Sequence, residues 1–156
     1  MSRSTGIIFN DQMCDFSGPN SVLNEVNKNN LIKPDKRPLS SKSPTIILDK
    51  DSRQVKMVVG GAGGTNITTS VAQVILDYLF FDYDLQQSVL EPRVQVPRNV
   101  TNIEDKFDEN VKHGLKLKNH NIDNKTELSV VQAVVRQGDK ICAESDKRNY
   151  GFPAGY

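Results

Sequence analysis

The stretch QVKMVVGGAGGTNITTSVAQVILDYLFF, residues 54–81, changes its hydrophobic period midway, and that change decides the fold. Its first part, VKMVV (55–59), is a β-rich apolar run. Further on, Val71, Val74, Ile75 and Tyr78 fall at i, i+3, i+4 and i+7, the single apolar stripe of an amphipathic helix. Between the two lie Gly60, Gly61, Gly63 and Gly64, with Thr65 or Asn66 as the expected helix cap. Such a junction frees backbone N–H groups to approach an anion or a developing negative charge. It serves equally as a tight turn that lets a helix pack close on a sheet. It is not a nucleotide loop. No Gly-Lys-Ser/Thr ending follows, and Asn66 stands where a dinucleotide fingerprint needs its third glycine.

On either side of this junction the chain alternates short apolar runs with turn chemistry. TIILD (45–49) and QVKMVVG (54–60), joined by KDSR, predict a hairpin, and GIIFND (6–11) predicts a short strand. Residues 17–43, rich in Ser, Asn, Pro and Lys, read as a long loop. A second helix is expected from near Asp84 through LQQSVLE, until Pro92 stops it. NVTNIED reads as a strand, and Phe107, Val111 and Leu115 mark a third helix containing Gly114. ELSVVQAVVRQ and KICAES read as strands around a QGDK turn. Strands, then helices, then strands, without regular βαβ alternation, predict a mainly antiparallel, layered α+β fold in one domain over 1–156.

Composition narrows the function classes. Twenty Lys and Arg against 19 Asp and Glu leave a net charge of +1, which argues against a nucleic-acid-binding face. No apolar run approaches bilayer length, and MSRSTGIIFND lacks a signal-peptide core. Cys14 and Cys142 show neither CxxC nor His/Cys metal spacing, so no metal site is expected, and spacing gives no support to a disulfide; no cofactor is expected either. His113 and His120 lie in a Lys/Asn-rich stretch and are expected to be solvated.

Two further segments carry candidate chemistry. In KRPLSSKSPT (36–45), Ser40 and Ser41 stand between Pro38 and Pro44, a stiff polar corner that suits a carboxylate or an ordinary turn. No Gly-x-Ser-x-Gly elbow surrounds either serine. In FNDQMCDFS (9–17), Asp11 and Asp15 suit a cationic amine or a solvated acidic loop.

The order and wording of these segments are specific even where each alone is not. STGIIFNDQMCDFS, KRPLSSKSPTI, MVVGGAGGTNITTSVAQVI, EPR, ESDKR and PAGY together closely resemble the small (light) subunit of gamma-glutamyltransferases, the glutathione hydrolases, over essentially the whole chain. The resemblance implies the αββα sandwich of N-terminal-nucleophile hydrolases, here incomplete, with the N-terminal strands of the small subunit absent. It implies transfer of a γ-glutamyl group from glutathione to water or to an amino-acid or peptide acceptor. Asp15 matches the aspartate that holds the substrate α-amino group, and Gln12 stands in place of a glutamate with the same task. Ser40 and Ser41 match the serine pair that binds the α-carboxylate, and Gly63 and Gly64 match the glycine pair of the oxyanion hole.

The family's nucleophile is a threonine freed at the small-subunit N-terminus by self-cleavage. The region that this chain matches begins downstream of that threonine, so the chain alone is expected to be inactive, needing a longer precursor or a heavy-chain-like partner. Three functional expectations follow: a light-chain-like binder without turnover, part of an active enzyme, or a non-enzymatic pairing module presenting an open sheet edge. Gln12 removes one negative charge from the ammonium site, Cys14 sits where the family often has a second aspartate, and Asp35 sits where a glycine is usual. RVQVPRNVT is short relative to the family's loop with its His-Asn element, and NYGFPAGY departs from the usual Lys-Gly-Gly-rich ending. N-x-T sequons occur at Asn66, Asn99 and Asn124; their use requires the secretory route. The family acts at the extracellular side of the plasma membrane, whereas this sequence shows no signal or anchor and is expected in the cytoplasm as given.

Overall fold

β2 (Val55–Ala62) is the strand around which the larger sheet is built. It pairs antiparallel with β1 (Thr45–Leu48) on one side and with β6 (Val130–Gln137) on the other, and β7 (Lys140–Ser145) completes the order β1-β2-β6-β7. The register sets Met57 opposite Val135 and Val59 opposite Ala133. Buried side chains therefore stand in rows across one face. Onto that face the helix stripe predicted from the sequence closes: α1 (Ile67–Phe80) contributes Ile67, Val71 and Val74, and α2 (Leu85–Leu90) adds Leu85 and Val89. Asp84 caps α2 in a capping box with Gln87, accepting from Gln87 N at 2.7 Å, and Pro92 follows its end. The opposite face of the same sheet keeps Ile46, Val58, Val134 and Ile141 exposed.

A computed structural model describes residues 2–18, 27–97, 99–125 and 129–155, in two compact units, Met1–Ser40 and Ser41–Tyr156. Outside the described residues lie 19–26 of the predicted long loop, Thr126 of the Asn124 sequon, and Glu127 and Leu128 of ELSVVQAVVRQ. Both sheets belong to the second unit. The smaller one orders β3 (Val94–Gln95), β4 (Thr101–Glu104) and β5 (Ile122–Lys125). Its β4 and β5 run parallel, joined through α3 (Glu109–Leu117), whose first amides are capped by Asp108. The pairing is mainly antiparallel as expected, and this crossover makes the one parallel pair among the described strands; β3 and β5 are too short or too polar to show a period.

Other differences are local. GIIFND forms no strand: Ile7, Ile8 and Phe9 are exposed, and no strand among the described residues pairs with them. Asn66 occupies the N-cap of α1 without a capping side-chain bond. His120 is not simply solvated, since its Nδ1 lies 2.8 Å from the buried Thr101 hydroxyl. Asp35 adopts φ +61°, the left-handed conformation that glycine takes without a Cβ penalty.

Asp77 is the carboxylate of α1 that turns inward, 9% exposed, with Oδ2 finding no hydrogen-bond partner among the described residues. Burial, followed by the nearby charge of Glu91, pushes its carboxyl up to about 6 from 3.8, against a weaker opposing pull from Arg93. The folded chain thus keeps a proton on Asp77 over a pH range in which the unfolded chain has released it. That contribution is complete below about pH 4 and lost as pH rises through about 6. Asp77→Asn is expected to raise stability at pH 8 by roughly 1–3 kcal/mol and to change it little at pH 4. Urea midpoints at the two pH values check this; a variant no more stable than wild type at pH 8 contradicts it.

Candidate functional site

At the end of β2 the chain leaves the sheet through the glycines. Ala62 still pairs with Val130, and Gly63 then takes φ +133° and Gly64 φ +61°. Side-chain-bearing residues avoid the first conformation and enter the second only at a cost, as Asp35 does, so glycine is required at 63 and merely favoured at 64. A 3-10 turn, Gly64–Asn66, runs directly into the 14-residue α1, so the exposed glycine turn sits at the positive end of a helix dipole. Ile67 and Val71 anchor the start of α1 in the core behind it.

A polar network holds this turn from the inside. Gln95 of β3, 4% exposed, donates through Nε2 to the Asn66 carbonyl (3.3 Å) and to Ser70 Oγ (2.8 Å). Its Oε1 accepts from the Thr69 hydroxyl, and Ser70 Oγ shares a hydrogen bond with Ser129 beside β6. Flipping this amide would set two oxygens against each other at Asn66, so one orientation is fixed. Gln73 makes a parallel link, donating to the Pro92 carbonyl at 3.0 Å and accepting from Val94 N at 3.3 Å.

Ser41 is brought to the same helix end. Ser43 Oγ donates to the Ser41 carbonyl (3.0 Å) and contacts the Thr68 hydroxyl in the first turn of α1 (3.1 Å). Ser41 is half-buried, whereas Gly63 and Gly64 are exposed.

The other candidate residues belong to the unit Met1–Ser40. Gln12 and Asp15 open and close one 3-10 turn, Gln12–Asp15, and both are exposed. Gln12 N donates to Asn10 Oδ1 at 3.0 Å, and Cys14 N to the Asp11 carbonyl at 2.8 Å. Ser40, also exposed, is the last residue of that unit. Cys14 and Cys142 are free thiols. Each unit thus carries part of the predicted set: a carboxylate with a hydroxyl in the first, a hydroxyl with the glycine turn in the second. A carboxylate of this kind pairs with an ammonium, a hydroxyl donates to a carboxylate, and a left-handed glycine turn at a helix start offers main-chain N–H groups to an oxyanion.

Two polar residues that reading by motif passes over are buried beside these segments, Asn30 at 6% and Gln95 at 4% exposure. Asn30 is one of several asparagines in a polar loop, and Gln95 sits in a two-residue strand; burial marks them out, and burial of an isolated polar residue leaves no period in a sequence.

Comparison with known proteins supplies the context. The family model described as gamma-glutamyltranspeptidase matches residues 1–156. Glutathione hydrolase proenzyme 2 of Schizosaccharomyces pombe is 36% identical over 166 residues, spanning all of this chain and 27% of the relative. A protein named putative inactive glutathione hydrolase 4, of Arabidopsis thaliana, is 44% identical over 99 residues, 60% of this chain and 51% of its own length. The solved gamma-glutamyltranspeptidase of Pseudomonas nitroreducens complexed with L-DON superposes with a TM-score of 0.76 at 29% identity, covering 99% of this chain and 83% of that one.

Proposed function

The chain belongs to the gamma-glutamyltranspeptidase family, and from that premise we propose that it binds the glutamyl moiety of glutathione or a related γ-glutamyl compound. Its α+β architecture is part of the N-terminal-nucleophile hydrolase fold. It spans roughly a quarter of the S. pombe relative's length, 27%, so the complete reaction is proposed only for an enzyme of which these residues form part.

Asp15 pairs with the substrate α-ammonium, with the neutral Gln12 as a hydrogen-bonding neighbour. Ser40 and Ser41 donate to the α-carboxylate. Gly63 and Gly64 present N–H groups to the oxyanion that forms when a nucleophile adds to the γ-carbonyl. Donors aimed at charge that appears only in the transition state each contribute about 3–4 kcal/mol. The nucleophile of the family is a threonine that no motif of this chain matches, so these residues supply recognition and charge stabilisation rather than attack. The observation that carries the reading is the pair of left-handed glycines at the head of α1, a backbone conformation suited to an oxyanion.

The test is binding of a stable γ-glutamyl ligand, S-methylglutathione, followed by NMR titration. Asp15→Asn is expected to weaken it by about 10- to 100-fold through loss of one charge-assisted hydrogen bond. Wild-type protein that shows no saturable binding overturns the proposal.

A second reading, a pairing module without turnover, is favoured by one specific feature. The face of the larger sheet away from α1 carries exposed Ile46, Val58, Val134 and Ile141, beside an open apolar cleft of about 510 Å³ that Phe152 and Pro153 help to line. A monodisperse monomer at high concentration, judged by light scattering, counts against it.

A further inference from the structure

We propose that Asn30 is the positioning residue of the amino-acid-head subsite, setting the spacing between Asp15 and Ser40; this rests on the γ-glutamyl reading above. Among the described residues of Met1–Ser40, Asn30 alone is buried, at 6% exposure, while Ile7, Phe9, Met13 and Leu39 are exposed. A polar side chain buried where apolar ones are not is held by its hydrogen bonds.

Those bonds run to the two segments that matter. Nδ2 donates to the Asp15 carbonyl at 2.7 Å and lies 3.4 Å from Ser17 Oγ. Oδ1 accepts from Leu39 N at 2.8 Å, immediately before Ser40. The main chain of Asn30 joins in, its carbonyl accepting from Ser17 N at 3.0 Å and its N–H donating to Asn27 at 2.8 Å. The turn that presents it is shaped by Asn27, whose side chain accepts from Asn29 N at 3.0 Å. One planar amide therefore spans segments far apart in sequence, and its orientation is unique. Turned over, it would oppose an oxygen to the Asp15 carbonyl and an N–H to the Leu39 N–H.

An α-amino acid carries its ammonium and carboxylate on the same carbon. A subsite for both must hold its two partners to within about 0.5 Å, and supporting residues set such tolerances. Asn30 does this through Asp15 and Ser40 without touching the ligand. Asn30→Asp separates its two bonds: the acceptor for Leu39 N remains, whereas an oxygen replaces the donor facing the Asp15 carbonyl. Asn30→Ala removes both.

The experiment titrates γ-glutamylmethylamide, which has both charged groups, and its des-amino analogue, which keeps only the carboxylate, into wild type and both variants. Dispersed NMR signals over 2–18 and 27–40 certify that the unit Met1–Ser40 of a variant is folded, and unchanged signals over 41–155 that the other unit is. Asn30→Asp is expected to weaken γ-glutamylmethylamide about tenfold and the des-amino analogue less than about twofold, and Asn30→Ala to weaken both. Folded Asn30→Asp that leaves both unchanged, or weakens both equally, overturns the role of Asn30. Wild type that binds neither ligand overturns the γ-glutamyl reading itself, and the role with it. Should the variants not fold, hydrogen exchange of wild type decides: a protected Leu39 amide supports the link, and exchange at the unstructured rate overturns it.

Discussion

Asp146→Ala is expected to cost about 3–5 kcal/mol, a large fraction of the stability of a domain this size. The Asp146 carboxylate is fully buried and all its bonding capacity is used. Oδ2 accepts from Arg93 Nη2 at 3.1 Å and from Val131 N at 3.0 Å. Oδ1 accepts from the backbone N and the Nη1 of Arg148, both at 3.0 Å. Arg93 is itself fully buried, and burial pulls its guanidinium below the usual value, with Arg148 adding to that effect and Asp146 and Glu104 opposing it. Removal of Asp146 leaves that cation without its closest anionic partner and strands the N–H that begins the core of β6. The desolvation cost already spent on Arg93 makes the loss larger than for a surface pair, and salt offers little relief.

The same network joins separate parts of the second unit. Glu104 of β4 accepts from Arg93 N at 3.0 Å and pairs with Arg148, and Arg148 reaches the carbonyls of Leu90 (3.3 Å) and Glu91 (3.0 Å) at the end of α2. A cation there also complements the helix dipole. Urea unfolding of Asp146→Ala beside wild type measures the effect, and a loss below about 1 kcal/mol contradicts it. Asp146→Ala combined with Arg93→Met is expected to recover part of the loss, because no unpaired charge then remains buried.

On the proposed role of the glycine turn, Gly63→Ala is expected to reduce γ-glutamyl turnover by about 100- to 1000-fold in a complete enzyme carrying these residues, with KM little changed. At φ +133° a Cβ meets its own main chain, so the turn must rotate and its N–H groups lose their aim. Stability should fall as well, by roughly 1–3 kcal/mol. Gly64→Ala is the milder change, since φ +61° lies in the left-handed well that side chains enter at about 1–2 kcal/mol. Steady-state kinetics of the two variants check the order. Equal kcat for wild type and Gly63→Ala removes the glycine turn from the mechanism.

The main elements were legible because each carries a period. The hairpin of β1 and β2, the stripe of Val71, Val74, Ile75 and Tyr78, the Asp84 start of α2 and the β6–β7 pair all appear where the sequence places them. What misled was composition without a partner. GIIFND has strand residues, but a strand needs a neighbour to take its hydrogen bonds, and none is found for it among the described residues. β5, IDNK, shows the reverse: its composition is polar, yet β4 supplies a parallel neighbour through the α3 crossover.

By itself, the sequence determined the α+β class and the strand–glycine–helix junction, because local period and backbone permissiveness are properties of neighbours along a chain; Gln12, Asp15, Ser40, Ser41, Gly63 and Gly64 stand out through the resemblance of their motifs to the gamma-glutamyltransferase light chain. Only the tertiary structure decided that Asn30 bridges Asp15 and Leu39, that Gln95 braces the glycine turn, and that Arg93 and Asp146 are paired at zero exposure. These depend on burial and on contacts between residues distant in sequence. A hydrogen bond gains its structural weight only where folding has removed the competing water.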